Sequence, residues 1–187
     1  MKDFFNDALK HGAILGVLMG LSRVYETWEL FLSDTSGVSM LFMVEWLVSV
    51  VLFVTLLYRF TKSYSTRFDA AAGFSFSQGL SYVFVVSILA GIIVGAMYHI
   101  YIGVVGYSAY VEGYLQLVDE YVAMLNKAGV DDMYATMLND IRTLVRDSEP
   151  QSIFGTIVSS MNNYIIAGGF VGIIIAVILS RKPEGEF

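Results

Sequence analysis

The chain of 187 residues contains no cysteine, which excludes disulfides, thiol nucleophiles and thiolate metal sites together. Charge is also scarce, at 15% of residues, where a soluble domain carries about 25%. Histidine occurs only at His11 and His99, and neither forms part of an H-E-x-x-H pair. The sequence has no G-x-S-x-G elbow, no phosphate-binding glycine loop and no pair of intramembrane aspartates. It therefore gives no reason to expect an enzyme, a cofactor or a metal site. The net charge of -6 reflects acids concentrated in one segment after residue 105 and argues against a nucleic-acid partner.

What the chain has in quantity is apolar surface, with 56% hydrophobic residues and a mean hydropathy of +0.65. A helix needs about 20 mostly apolar residues to cross a hydrocarbon core of roughly 30 Å. Stretches at 8–32, 38–60, 77–105 and 152–180 meet that need, so the expected fold is all-α: an integral membrane four-helix bundle forming a single domain. The first stretch is the least apolar, because Arg23 and Glu26 follow closely on the run 13–21. Either those charges lie within the membrane or the segment rests at its surface; the turn SDTSG at 33–37 favours a crossing hairpin. The apolar run at 13–21 has a signal-peptide flavour but no A-x-A cleavage pattern, so the segment is expected to be retained.

Orientation follows lysine and arginine counts in short loops. Both termini placed in the cytoplasm put Lys2, Lys10, Arg59, Lys62, Arg67, Arg181 and Lys182 inside, against Lys127, Arg142 and Arg146 outside. The segment 106–151 between the third and fourth spans then becomes an extracytoplasmic helical hairpin. Tyr107, Tyr110, Val111, Tyr114, Val118, Tyr121, Val122 and Leu125 recur at three- and four-residue intervals, as do Tyr134, Met137, Leu138, Ile141, Leu144 and Val145. Gly129 suits the end of the first of these helices, Asp131 a cap for the second, and Pro150 its termination; Gly103 and Gly106 are candidate bends after the third span. The apolar faces can pack on each other, lie on the membrane, or dock a membrane or envelope protein partner.

Two constellations stand out within the spans. The first is polar: Arg23, Glu26, Glu45, His99, Asn162 and Asn163 all fall in the outer half of the membrane, with Arg23 and Glu45 at similar depth on adjacent antiparallel spans. Ionisable groups inside a bilayer are costly and are usually paired or turned to water. One reading has Arg23 and Glu45 neutralise each other while the asparagines bond between helices; the other is a water-filled pocket for an ion, proton or small ligand. For His99, a place in the interfacial belt beside Tyr98 and Tyr101 competes with a functional one. The second constellation is glycine: Gly12, Gly16 and Gly20, then Gly91 and Gly95, then Gly168 and Gly172, each four residues apart. Small residues at that spacing let helices approach closely in lipid, within one chain or across a homo-oligomer.

The stretches KHGAILGVLMGLS, FSFSQGLSYVFVVSILAGIIVGAMYHIYIG and GGFVGIIIAVILSRK together resemble the bacterial membrane family catalogued as domain of unknown function 4199, over nearly the whole chain. That resemblance implies four spans in a bacterial inner membrane with an external helical segment after the third, and transfers no catalytic residue. The functional expectation is an accessory or assembly subunit of an envelope complex. The alternative is a small homo-oligomeric transporter or channel with its polar site in the outer half of the membrane.

Overall fold

A computed structural model describes residues 2–29, 38–69, 72–127, 129 and 132–182. The turn at 33–37, the end of the first expected span at residues 30–32 and the cap at Asp131 lie outside them. The described residues are all-α, with six helices: α1 (Lys2–Glu29), α2 (Val38–Ser65), α3 (Phe76–Val105), α4 (Tyr107–Lys127), α5 (Asp132–Arg146) and α6 (Ile153–Leu179). Among the described residues three segments are long and apolar enough to cross a membrane, Met43–Ser65, Phe76–Val105 and Ile153–Leu179. By length and composition they suggest a multi-pass membrane protein. α1 falls short by composition, since the apolar run at 13–21 is flanked by Lys10 and His11 on one side and by Arg23 and Glu26 on the other.

Local chemistry sets several of the helix ends. Ser75 and Gln78 form a capping box at the start of α3: the Ser75 hydroxyl accepts from Gln78 N–H at 3.2 Å, and the Gln78 amide oxygen accepts from Ser75 N–H at 2.8 Å. Ser152 caps α6 by accepting from Gly155 N–H at 3.1 Å. Of the two candidate bends, Gly106 is the break; its φ of +95° suits glycine, and its N–H donates to Ile102 O at 2.9 Å. Gly103 remains inside α3.

α3 is the central helix, packed lengthwise between α1 and α6. Gly12 faces Leu89, Gly16 faces Ala90 and Ile93, and Gly20 faces Met97, so α1 and α3 run parallel in matched steps. On the opposite side Gly91 meets Met161, Gly95 meets Ile157, and Gly168 and Gly172 meet Ser87 and Val83, which makes α6 antiparallel to α3. The small residues bring the helix backbones close enough for dispersion contacts to hold them, the main attraction available between helices in lipid. Val86 and Ala90, fully buried on α3, join Leu15 of α1 and Leu57 of α2 in the core.

The end of the bundle that gathers Lys10, Arg67 and Arg181 is tied by backbone and ion-pair contacts. Phe74 and Arg181 exchange two backbone hydrogen bonds at 2.9 and 2.8 Å, and the Arg181 guanidinium donates to Ser65 O at 2.8 Å. Arg67, in the turn after α2, pairs with Asp7 of α1 at 2.5 and 2.9 Å. Beneath this tie lies a cluster of rings: Tyr82 stacks on Tyr64 at 4.2 Å, Phe4 meets both edge-on, and Phe74 lies 6.0 Å from Tyr64. The hydroxyl of Tyr82, a fully buried residue, bonds to His11 Nδ1, and His11 in turn stacks on Phe60 at 4.2 Å.

At the opposite end α4 and α5 pack as a hairpin, joined by an Arg142–Asp119 ion pair at 3.1 Å. The base of the hairpin is closed by Tyr107 and Ser148, whose hydroxyls lie 2.6 Å apart.

Candidate functional site

Opposite the ring cluster the four long helices diverge around a cavity of about 480 Å³. Arg23 and Glu26 enter it from α1, Ser49 and Phe53 from α2, Tyr98 from α3, and Asn163 from α6. The polar side chains come from four helices: Arg23 and Glu26 near the end of α1, Ser49 within α2, Tyr98 near the end of α3 and Asn163 within α6.

The pairing inside this region differs from the one expected. Arg23 does not meet Glu45; its Nη1 lies 2.5 Å from Glu26 Oε2, one turn along the same helix. The guanidinium also sits over the Tyr98 ring, 5.1 Å from its centroid, a cation–π contact that strengthens as water is removed. Glu45 accepts hydrogen bonds from the hydroxyls of Ser22 on α1 and Ser49 on α2, the latter at 2.9 Å. Two serines thus do what an arginine was expected to do: they supply donors to a carboxylate at membrane depth, without cancelling its charge. Equal depth was readable from the sequence, but the rotation of α2 about its axis was not.

The other candidates separate. Asn163 lines the cavity, whereas its neighbour Asn162 is exposed on α6 outside the lining. His99 also lies outside the lining, with Nδ1 3.5 Å from Thr156 Oγ1. The sequence reading missed Ser49, Tyr98, Thr156 and Tyr164, all of which border the cavity. Single hydroxyls in apolar helices carry no motif, and only their recurrence on α6 at 156, 159 and 160 marked that helix as polar on one side. Among the described residues no group of three or more His, Asp or Glu side chains could hold a metal ion.

Phe53 of α2 and Tyr164 of α6, which meet edge-on at 5.5 Å, line the part of the cavity nearer the ring cluster. It is open to the side, because Ser159, Asn163 and Ala167 on α6 and Trp46 on α2 line it while remaining exposed at the surface of the bundle. Gln151 reaches its upper rim from the segment before α6. Chemically the arrangement offers one cation, one anion, several hydroxyls and two amides beside apolar and aromatic side chains.

A family model described as a protein of unknown function (DUF4199) matches residues 10–181. No curated protein matches the chain. No solved structure matches it either.

Proposed function

We propose that this chain, which belongs to the DUF4199 family, is a four-span binding protein of the bacterial inner membrane that serves a larger envelope complex as an accessory or assembly subunit. The observation that carries this reading is the cavity between the four long helices: a site that gathers Arg23, Glu26 and several hydroxyls beside the Phe53–Tyr164 ring contact suits holding a ligand or partner group. No catalytic role is proposed for its residues.

The fourth crossing is α1. It runs parallel to α3 with Gly12, Gly16 and Gly20 in step with Leu89, Ile93 and Met97, so it traverses the same depth as a helix that qualifies on its own composition. Arg23 at its outer end is then tolerable because Glu26 and Tyr98 share its charge. With Arg67 and Arg181 gathered at one end and Arg142 at the other, the positive-inside rule puts both termini in the cytoplasm and α4–α5 outside. The hairpin leaves Met124, Met137 and Leu144 exposed, a face suited to an envelope protein.

The alternative of a small homo-oligomeric transporter or channel has one observation in its favour, the Arg23–Glu26 pair within the cavity. Purification of the tagged full chain from its native host in mild detergent separates the two. A stoichiometric second protein that is lost when Met137 and Leu144 are changed to Asp is the expected result. A lone homo-oligomer that passes ions or solutes in liposomes would overturn the accessory reading.

A further inference from the structure

The cavity has a direction, and the direction matches a lipid. Its charged groups, Arg23 and Glu26, lie toward the outer end of the bundle with Thr156 and Ser160; Ser49 and Asn163 lie midway, and Phe53 and Ala167 reach deeper. Depth follows from the chain: Ala167 is about 20 Å further along α6 than its first residue Ile153, at 1.5 Å per residue. The polarity therefore changes along the membrane normal as it does in one leaflet, from headgroup to acyl chain.

The entrance gives the same answer. Asn163 and Ala167 border the cavity and are exposed on the flank of α6, facing Trp46, also exposed, on α2. That flank is at the level of an apolar span, with Ile166 and Phe170 exposed beside it. A molecule entering there comes from the bilayer, and its tail stays in the bilayer while its head is held. A cavity of about 480 Å³ has room for a headgroup and the first carbons of a chain.

Charge decides between headgroups. The site presents a guanidinium and a carboxylate side by side, with 44% of the Arg23 side chain still accessible. A purely anionic head would gain Arg23 but lie against Glu26, with Glu45 held nearby through Ser49. An uncharged head would take water from both ions and return no charge to either. A head with a phosphate and an ammonium satisfies both, because each of its charges meets its opposite and charge-assisted hydrogen bonds are the stronger kind.

We infer that the cavity between α1, α2, α3 and α6 is a binding site for an outer-leaflet phospholipid with a zwitterionic, amine-bearing headgroup, its phosphate on Arg23 and its ammonium on Glu26. This rests on the reading of α1 as a crossing helix and the cavity as a binding site, and it names the ligand class.

The test is native mass spectrometry of the detergent-purified full chain, titrated with phosphatidylethanolamine and phosphatidylglycerol of identical acyl chains. The parent protein is expected to retain the ethanolamine lipid about tenfold better, the equivalent of one charge contact. Glu26→Gln leaves Arg23 unopposed and should erase or reverse that preference. Arg23→Gln should weaken retention of both lipids. Ala167→Phe, at an exposed position that tolerates bulk, should block the apolar end and lower retention of both with the preference unchanged. Circular dichroism melting curves identify any variant that is unfolded, and the Ala167 variant keeps the test open if a charge variant is lost. Equal retention by the parent, or a preference indifferent to Glu26→Gln, would overturn the inference, as would retention indifferent to Ala167→Phe. A stoichiometric protein partner recovered with no lipid preference would overturn it while leaving the accessory role standing.

Discussion

Gly168 of α6 and Ser87 of α3 meet with no room for a methyl group between them: a β-carbon at 168 would fall 2.0 Å from the Ser87 hydroxyl oxygen. The contact lies in the most extensive helix interface of the molecule, where α3 and α6 run antiparallel. Ser87 is fully buried there, so the added carbon has nowhere to displace it.

Gly168→Ala is accordingly expected to lower stability by about 1 to 3 kcal/mol, the usual range for overpacking. Gly91→Ala should cost a similar amount, because its β-carbon would lie 2.7 Å from the Met161 backbone. Gly20→Ala should cost less, since it meets the flexible sulfur of Met97. Gly103→Ala meets nothing within 4 Å and should be neutral or stabilise by up to about 1 kcal/mol through helix propensity. Thermal unfolding in one detergent ranks all four; a uniform response would mean that the glycines do not set the helix spacing.

The Arg23–Glu26 pair leads to a second expectation. A double-mutant cycle between these residues should give a coupling of about 0.5 kcal/mol, a modest value because the pair is part exposed and joins successive turns of one helix. The cycle between Arg23 and Glu45 should give none, since Glu45 is bonded to Ser22 and Ser49. A larger coupling to Glu45 than to Glu26 would refute the pairing described.

At the basic end, Tyr82 carries two separable contributions. Tyr82→Phe keeps the ring stacked on Tyr64 and removes only the hydroxyl bonded to His11, at an expected cost of about 1 to 2 kcal/mol for a lost hydrogen bond. Tyr82→Ala empties the centre of the ring cluster and should cost about 3 to 5 kcal/mol. Denaturant titration of the two variants measures the difference; equal losses would mean that the ring contributes nothing beyond its hydroxyl.

Topology can be read with single cysteines, because the native chain has none. A cysteine in place of Lys127 at the end of α4 should react with an impermeant maleimide in intact spheroplasts, and one in place of Lys62 only after lysis. The reverse pattern would invert the orientation.

The sequence made α3 and α6 legible to within one residue at each end, while α1 begins six residues before the expected span at 8–32 and α2 runs five past the one at 38–60. The expected third span at 77–105 is α3, Phe76–Val105, and the expected fourth at 152–180 is α6, Ile153–Leu179. Hydropathy shows where a chain is apolar, and capping residues such as Ser75 and Ser152 mark where it turns helical. What stayed hidden is what depends on the rotation of one helix against another. Glu26 shares the face of Arg23 whatever α1 packs on, whereas the facing of Glu45 is set by how α2 docks. The ring cluster was hidden for a related reason. Phe4, Tyr64, Phe74 and Tyr82 come from four separate segments, and an aromatic residue near a span end reads the same whether it anchors at the interface or stacks in a core.

The placement of α3 between α1 and α6 also imposes an order in time. Gly12 and Gly16 are covered by Leu89 and Ile93, which a ribosome working at about 5 to 20 residues per second completes several seconds later. Through that interval α1 has only α2 beside it, held by the bonds of Ser22 to Glu45 and Ser49. A chain truncated after α2 would keep that hairpin but leave its glycine ridge uncovered, so nascent chains stalled at that point should be more open to degradation than those that have delivered α3.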